Sequence, residues 1–322
     1  MIKVDKFPKT DSSQCNLTTF ILTHAHSDHT VISRTFPCSI HCTSETKKIL
    51  EDTLEKTLDG ILCDNLKPNE WCVLNNRRLI FVFASGHCLG GIGFYYPTES
   101  RLHFGDGRPS RETCQLLKTA LNEIPCDNTL SIDYDTFFPL EFPLVQPFLR
   151  VPKTSESKAI ITDFLLRVCM KQNRDVHIRV AHFGALDALP ISGFHYIWIG
   201  SNNSPGSRLS ASAFRLWQNQ NQKNLQNSKR QVVYLSRIFD KVCDVQKWVS
   251  NPVELLLSAS WFCKEVDRWN TMFGICQMDR DRFRICVCSH ASPRELCFLF
   301  TQFESTTRPP LVQSQGEEEP IA

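Results

Sequence analysis

The chain has 322 residues, 42% apolar and 22% charged, enough for one large core or two modest ones, which excludes disorder, collagen and coiled coil as readings of the whole. Thirty-six basic residues against 34 acidic ones leave a formal charge of +2, so no global field draws the protein to nucleic acid or to an anionic membrane, and any attraction is local. The densest apolar runs, residues 79–84 and 253–257, fall far short of the roughly 20 that span a bilayer, and residues 1–9 lack the apolar stretch of a secretory leader, so a soluble, non-secreted protein is expected.

The first half alternates β-rich runs with polar loops and helical stretches, the pattern of a mixed α/β layered domain. Strands are expected over residues 2–4, 18–23, 78–84, 91–95, 101–104 and 129–132. Apolar residues recurring every three or four positions predict helices over 44–58 and 110–121. Pro139, Pro143, Pro147 and Pro152 then interrupt regular structure, which puts a boundary near Phe138. Beyond it come a helix over 155–170, a strand over 176–180, an apolar run at 195–199 and an Asn/Gln/Ser-rich stretch over 201–228 that carries no clear element. A strand over 231–235, a helix over 240–249 and a strand over 253–257 follow. The tail, residues 305–322, has Pro309, Pro310 and an acidic run at 317–319, and is expected to be disordered. Fifteen cysteines make an odd count, scattered from Cys15 to Cys297 with no Cys-x-x-Cys pair, so buried reduced thiols are expected rather than a disulfide framework or a zinc ribbon. Cys286 and Cys288 share one face of any strand that contains both.

The informative segment is Thr19-Phe-Ile-Leu-Thr-His24-Ala-His26-Ser-Asp28-His29-Thr30. An apolar β-run ends there in four possible metal ligands within six positions, and imidazole with carboxylate suits zinc and similar divalent ions. One loop cannot complete the coordination, so further His or Asp residues are required at other strand ends. His87 stands after the strand at 78–84, in Ser85-Gly86-His87-Cys88-Leu89-Gly90-Gly91, and Asp106 after the strand at 101–104, in Phe104-Gly105-Asp106-Gly107-Arg108.

These residues resemble the β-CASP branch of the metallo-β-lactamase fold, and within it the DNA cross-link repair nucleases. Asp5 matches the first motif of that family, His24 to His29 the second, His87 the third and Asp106 the fourth, while Ser131-Ile-Asp133-Tyr-Asp135-Thr136 loosely matches its Leu-Asp-Thr-Thr. The resemblance covers residues 1–137. It implies a four-layer αββα metallo-β-lactamase fold interrupted by a short β-CASP cap: core over 1–137, cap insertion over 138–228, core again over 229–304, tail over 305–322. The sequence departs from the family where a Tyr-Ser-x-His-Ser-Ser segment delivers a further His, since Tyr234-Leu-Ser236-Arg237 is read in that place and puts Arg237 at the His position.

The function this implies is a metal-dependent phosphodiesterase, a DNA nuclease acting 5′-to-3′ on single strands or overhangs in repair or telomere-end processing, with one or two zinc ions. His24, His26 and His87 would hold one ion with Asp106 as a further ligand or bridge, and Asp28 and His29 would face a second. Asp28 would orient or deprotonate water, and Asp5 and Asp133 would accept from the histidines and fix their tautomers. A local excess of eight basic over two acidic residues across 201–250 offers a phosphate track, with Arg208, Ser236, Arg237 and Lys241 as candidate contacts. Trp198, Phe214 and Trp217 suit base stacking or core packing alike. A nuclear monomer is expected, bound to DNA, with repair or telomere proteins as candidate partners and no membrane. Three alternatives stay open: a β-CASP ribonuclease, a degenerate non-catalytic nucleic-acid binder, and a small-substrate hydrolase.

Overall fold

Short β-rich runs separated by glycine- and proline-marked turns give strands of two to seven residues, and such strands gain stability by pairing in sheets. A computed structural model describes residues 1–8, 12–33, 35–54, 58, 60–108, 110–125, 130–133, 152–201, 204–222, 231–238, 248–249, 252–258, 275–288, 290–291, 295, 298, 301 and 303. The first sheet is wholly parallel, in the order β1 (Ile2–Val4), β2 (Thr19–Ile21), β3 (Ile40–His41), β4 (Leu62–Cys63). The second is a meander of β5 (Glu70–Val73), β6 (Leu79–Ala84), β7 (Ile92–Tyr96) and β8 (Arg101–His103), with β9 (Ser131–Asp133) added parallel to β8. The third contains β10 (Val176–Val180), β11 (Phe194–Trp198), β12 (Gln231–Arg237), β13 (Val253–Leu257), β14 (Ile275–Gln277) and β15 (Arg282–Ile285). Its spatial order is β11-β12-β10-β13-β15-β14, and only β14 is antiparallel to its neighbour. The architecture is mixed α/β with several sheets, consistent with a metallo-β-lactamase-like fold.

Four helices cover these sheets among the described residues: α1 (Ser44–Leu54), α2 (Arg111–Glu123), α3 (Thr154–Leu165) and α4 (Pro205–Gln222). Helix α2 starts where Ser110 Oγ accepts from the Thr113 N–H at 3.1 Å, and it buries Cys114, Leu117 and Leu121, spaced three and four apart, against Phe83, Leu102 and Phe104 of the second sheet region. Ile49 and Leu50 of α1, Phe164 of α3 and Phe214 and Trp217 of α4 join the inner faces of the first and third sheets in one continuous core. No helix among the described residues is long and apolar enough to cross a membrane.

The expected strands and the helices beginning near 44, 110 and 155 are present, displaced by a few residues at their ends. The stretch over 201–228 is a correction. It holds the 18-residue α4, because Leu209, Ala213, Phe214 and Trp217 form a buried stripe and the intervening Ser207, Ser210 and Ser212 are small enough to be buried beside it. Trp217 and Phe214 are 3% exposed, which settles them as core rather than base-stacking residues. The third sheet takes strands from both sides of residue 228, so the division expected there falls inside one sheet. Strand β15 ends at Ile285, one residue before the buried Cys286 and Cys288. Most of the helix expected over 240–249, the Pro-rich segment and the tail lie outside the described residues.

The thiols also need correcting. Cys15 and Cys38 form a disulfide, with Cα atoms 5.1 Å apart and a sequence separation of 23, so the bridge encloses β2 and the whole His24 to His29 loop. The other described cysteines are outside disulfides, and all but Cys63 are buried, as expected.

Candidate metal centre

Strands that run in the same direction bring the loops after them to a common edge. The parallel β1 and β2 do this for Asp5 and the His24 to His29 loop, and β6 and β8, both antiparallel to β7, do it for His87 and Asp106. Two glycines make the approach of the last two loops possible. Gly86 has φ +72°, and a Cβ on it would lie 2.6 Å from the Arg108 carbonyl oxygen; a Cβ on Gly107 would lie 2.7 Å from that of Ser85. The Arg108 N–H then donates to Ser85 O at 2.7 Å, tying the His87 turn to the Asp106 turn.

The loops converge on one point. His26 Nδ1 lies 3.1 Å from His24 Nε2 and 3.0 Å from His87 Nε2, and Asp106 Oδ2 lies 3.7 Å from each of those two Nε2 atoms. Ligand atoms of His24, His26, His87 and Asp106 all lie within 4.8 Å of one another, as do those of Asp5, His24 and His29. Tetrahedral zinc with bonds of about 2.1 Å to nitrogen separates its donors by roughly 3.4 Å, and the observed edges bracket that value. Protons alone serve the cluster poorly, because His26 Nδ1 has one lone pair for two neighbouring Nε2 atoms. His26 Nε2, His87 Nδ1 and Asp106 Oδ1 are also buried without a hydrogen-bond partner. The donor set therefore fits a divalent cation of the zinc type.

Around this core, His29 Nε2 approaches Asp106 Oδ2 at 3.3 Å and Asp28 Oδ2 at 3.7 Å, and its Nδ1 meets Asp5 Oδ2 at 3.0 Å. Asp5 also accepts from the Thr23 N–H at 2.8 Å, and Thr23 Oγ1 lies 2.9 Å from His24 Nδ1, so Asp5 orients His29 directly and His24 through Thr23. The Asp28 side chain is 75% exposed at the rim, where water reaches it.

Burial pushes His24 down to about 4, with His29 adding repulsion, and it carries His26 and His87 well below the ordinary imidazole value. Burial also opposes charge on His29, yet hydrogen bonds to Asp106 and Asp5 outweigh it and raise that imidazole to about 11. His290 behaves alike, held up at about 9 by Asp106 and Cys288 against its burial. Asp106 is buried too, but hydrogen bonds from His29 and His290, with the field of His24 and His87, hold its carboxyl far below the usual carboxylate range.

His290 is the functional residue that sequence reasoning missed: its Nε2 lies 3.6 Å from Asp106 Oδ2 and its ring 4.7 Å from that of His87. The available signal was another His soon after a strand, in Cys288-Ser289-His290-Ala291-Ser292. Arg237 ends β12, its guanidinium filling the space left by the absent side chain of Gly206. Ser236 is fully buried and hydrogen-bonds His177 Nε2 at 2.9 Å inside the sheet, so it presents nothing to a phosphate. Asp133 pairs with Arg101 across β8 and β9 instead of supporting a histidine. Arg208 is exposed on α4, and Lys241 lies outside the described residues. His182, in the turn after β10, packs beside His26 and His87; burial and the charge of His290 lower it to about 4.

No family model matches the chain. A stretch of 95 residues, 28% of the chain, is 30% identical to a hydroxyacylglutathione hydrolase of Bartonella quintana (strain Toulouse) and 28% identical to the protein of the same name from Bartonella henselae. The chain spans about a third of the length of these curated relatives, 34% in each case. Among solved structures, a protein of unknown function from Enterococcus faecalis V583 superposes with a TM-score of 0.51 at 13% identity, over 93% of this chain and 80% of that one, a likeness of fold alone.

Proposed function

We propose that the chain is a metal-dependent hydrolase of the metallo-β-lactamase kind whose substrate is a phosphodiester of DNA. The observation that carries this reading is the convergence of His24, His26, His87 and Asp106 within 4.8 Å, with His29 and His290 also directed at the same carboxylate. A zinc ion or similar cation bound there would supply Lewis acidity and a lowered pKa for water. His24, His26, His87 and Asp106 would hold it, and His29 and His290, directed at the same carboxylate, would serve a second ion. Asp28, exposed beside His29, takes a proton from the attacking water and orients it toward phosphorus. Arg237, at the carboxyl end of β12 and within electrostatic reach of His182, would supply positive charge to an anionic substrate. The same role in the processing of DNA ends, in the nucleus, belongs to this proposal.

The similarity to hydroxyacylglutathione hydrolases favours a second reading, in which the same centre hydrolyses a hydroxyacylglutathione. His290, 3.6 Å from Asp106, supports the catalytic reading over the non-catalytic alternative that Arg237 and the altered third motif suggested. The purified chain, loaded with zinc or manganese, should cleave a labelled 5′-phosphorylated single strand of DNA, and a chelator should stop it. Faster cleavage of a matched RNA would make it a ribonuclease, and turnover of a hydroxyacylglutathione alone would establish the second reading.

A further inference from the structure

Strands β10 and β12 are neighbours, and their last residues, Val180 and Arg237, are partners in register. Just beyond Val180 the chain turns through Ala181-His182-Phe183 and lies against the metal centre. The His182 ring is 5.6 Å from that of His26, stacked at 14° and 6.1 Å from that of His87, and 6.3 Å from that of His290. It nevertheless stands outside the four-residue group that brings its ligand atoms together. The turn is tightly held: Phe183 packs on His26 with centroids 4.4 Å apart, and a Cβ on Gly184 would come 2.5 Å from His87 O and 2.9 Å from His182 Nδ1.

His182 Nδ1 is buried without a hydrogen-bond partner, while the residue as a whole is half-buried. A residue needed only to fill that space would be apolar, as its neighbour Phe183 is, because an unpaired buried nitrogen costs free energy. With Nδ1 enclosed by its own turn, Nε2 is the edge left to meet a ligand, at the carboxyl end of a parallel strand where ligands of such sheets bind.

We propose that His182 is a substrate-contacting residue whose Nε2–H donates a hydrogen bond to an anionic phosphoryl oxygen of the group cleaved at the adjacent centre. The proposal rests on the hydrolase reading and adds to it a residue from the turn that follows β10, within electrostatic reach of Arg237. It also names the substrate feature recognised: a charged oxygen, which a neutral ester oxygen does not replace, since hydrogen bonds to charged groups are the stronger ones.

The test uses the metal-loaded full chain and the variants His182→Phe and His182→Gln. Metal content by plasma emission should be unchanged in both. Affinity for inorganic phosphate, followed by phosphorus NMR, should fall by about tenfold to a hundredfold in the Phe variant and recover in part in the Gln variant. On labelled DNA the Phe variant should lose a similar factor in kcat. Unchanged phosphate affinity in the Phe variant overturns the proposal, as does loss of bound metal from a folded Phe variant, which would make His182 a ligand, or a wild-type chain that binds no phosphate. Phosphate binding that depends on His182 in a chain that cleaves no DNA would uphold the contact and refute the nuclease reading.

Discussion

Replacing Asp106 by Asn removes one negative charge from the midst of four imidazoles and keeps the shape of the side chain. Its Oδ2 lies 3.3 Å from His29 Nε2 and 3.6 Å from His290 Nε2, the two rings that carry protons in the metal-free protein near neutral pH. At an effective dielectric constant of about 20, each such pair is worth about 5 kcal/mol, the equivalent of roughly three to four pKa units. His290, held at about 9 by Asp106 and Cys288 against burial, should therefore fall below the ordinary 6.5 once Asp106 is neutral. His29 starts at about 11 and keeps its bond to Asp5, so it should fall but remain above 6.5. Imidazole titrations by NMR on the metal-free Asn variant read both values. A cation that takes His29 and His290 as ligands must expel their protons, so wild-type affinity at that position should rise with pH through about 9 and on toward about 11, and the Asn variant should release fewer protons on binding. It should also bind zinc more than about 100-fold more weakly, beyond the loss usual for a group that only supports a ligand. A His290 that still titrates near 9 in the Asn variant would refute the electrostatic reasoning.

Three further outcomes follow from residues away from the metal. Burial, with the charge of Arg179, lowers His177 to about 4, so the neutral ring stabilises the fold above 6.5 and that contribution is lost as pH falls toward 4, up to about 3 kcal/mol; denaturant melts should show a shallower acid loss in His177→Gln, and parallel curves would contradict this. Arg108, 7% exposed, donates to Glu295 and to the carbonyls of Pro152 (2.7 Å) and Cys288 (3.0 Å), joining the Asp106 loop to the His290 segment; Arg108→Ala should cost about 3 kcal/mol and Arg108→Lys much of that, since one ammonium cannot reach all three partners, and a loss below about 1 kcal/mol by chemical denaturation would count against that role. Replacing Cys15 and Cys38 together by Ser frees a 23-residue loop and should lower stability by about 3 kcal/mol under oxidising conditions, with no difference from wild type in excess reductant.

How far the sequence revealed the site depended on how local each signal was. His24, His26, Asp28 and His29 lie within six positions after an apolar strand, and His87 and Asp106 follow strands with clear β patterns, so the convergence of His24, His26, His87 and Asp106 was legible, while Asp28 stands exposed at the rim. His290 was not, because β15 has only four residues and two of them are arginines, which hides its strand character. The competing segment Tyr234-Leu-Ser236-Arg237 shares letters with the expected motif, but its register turns Ser236 toward His177 inside the sheet. Asp133 follows the right kind of strand, yet Arg101 on the adjacent β8 claims its carboxylate, a cross-strand pairing that no linear spacing reveals. Helix α4 was obscured by serines that read as polar and pack as small. The pairing of Cys15 with Cys38 among fifteen cysteines is a matter of spatial proximity alone.

An anomalous difference map from crystals of the zinc-loaded chain, recorded at the zinc edge, tests the placement of the cation most directly. A peak about 2.0–2.2 Å from nitrogens of His24, His26 and His87 and from an Asp106 oxygen is the predicted result. Zinc bound elsewhere, or no peak among these rings in a folded and loaded protein, would contradict it.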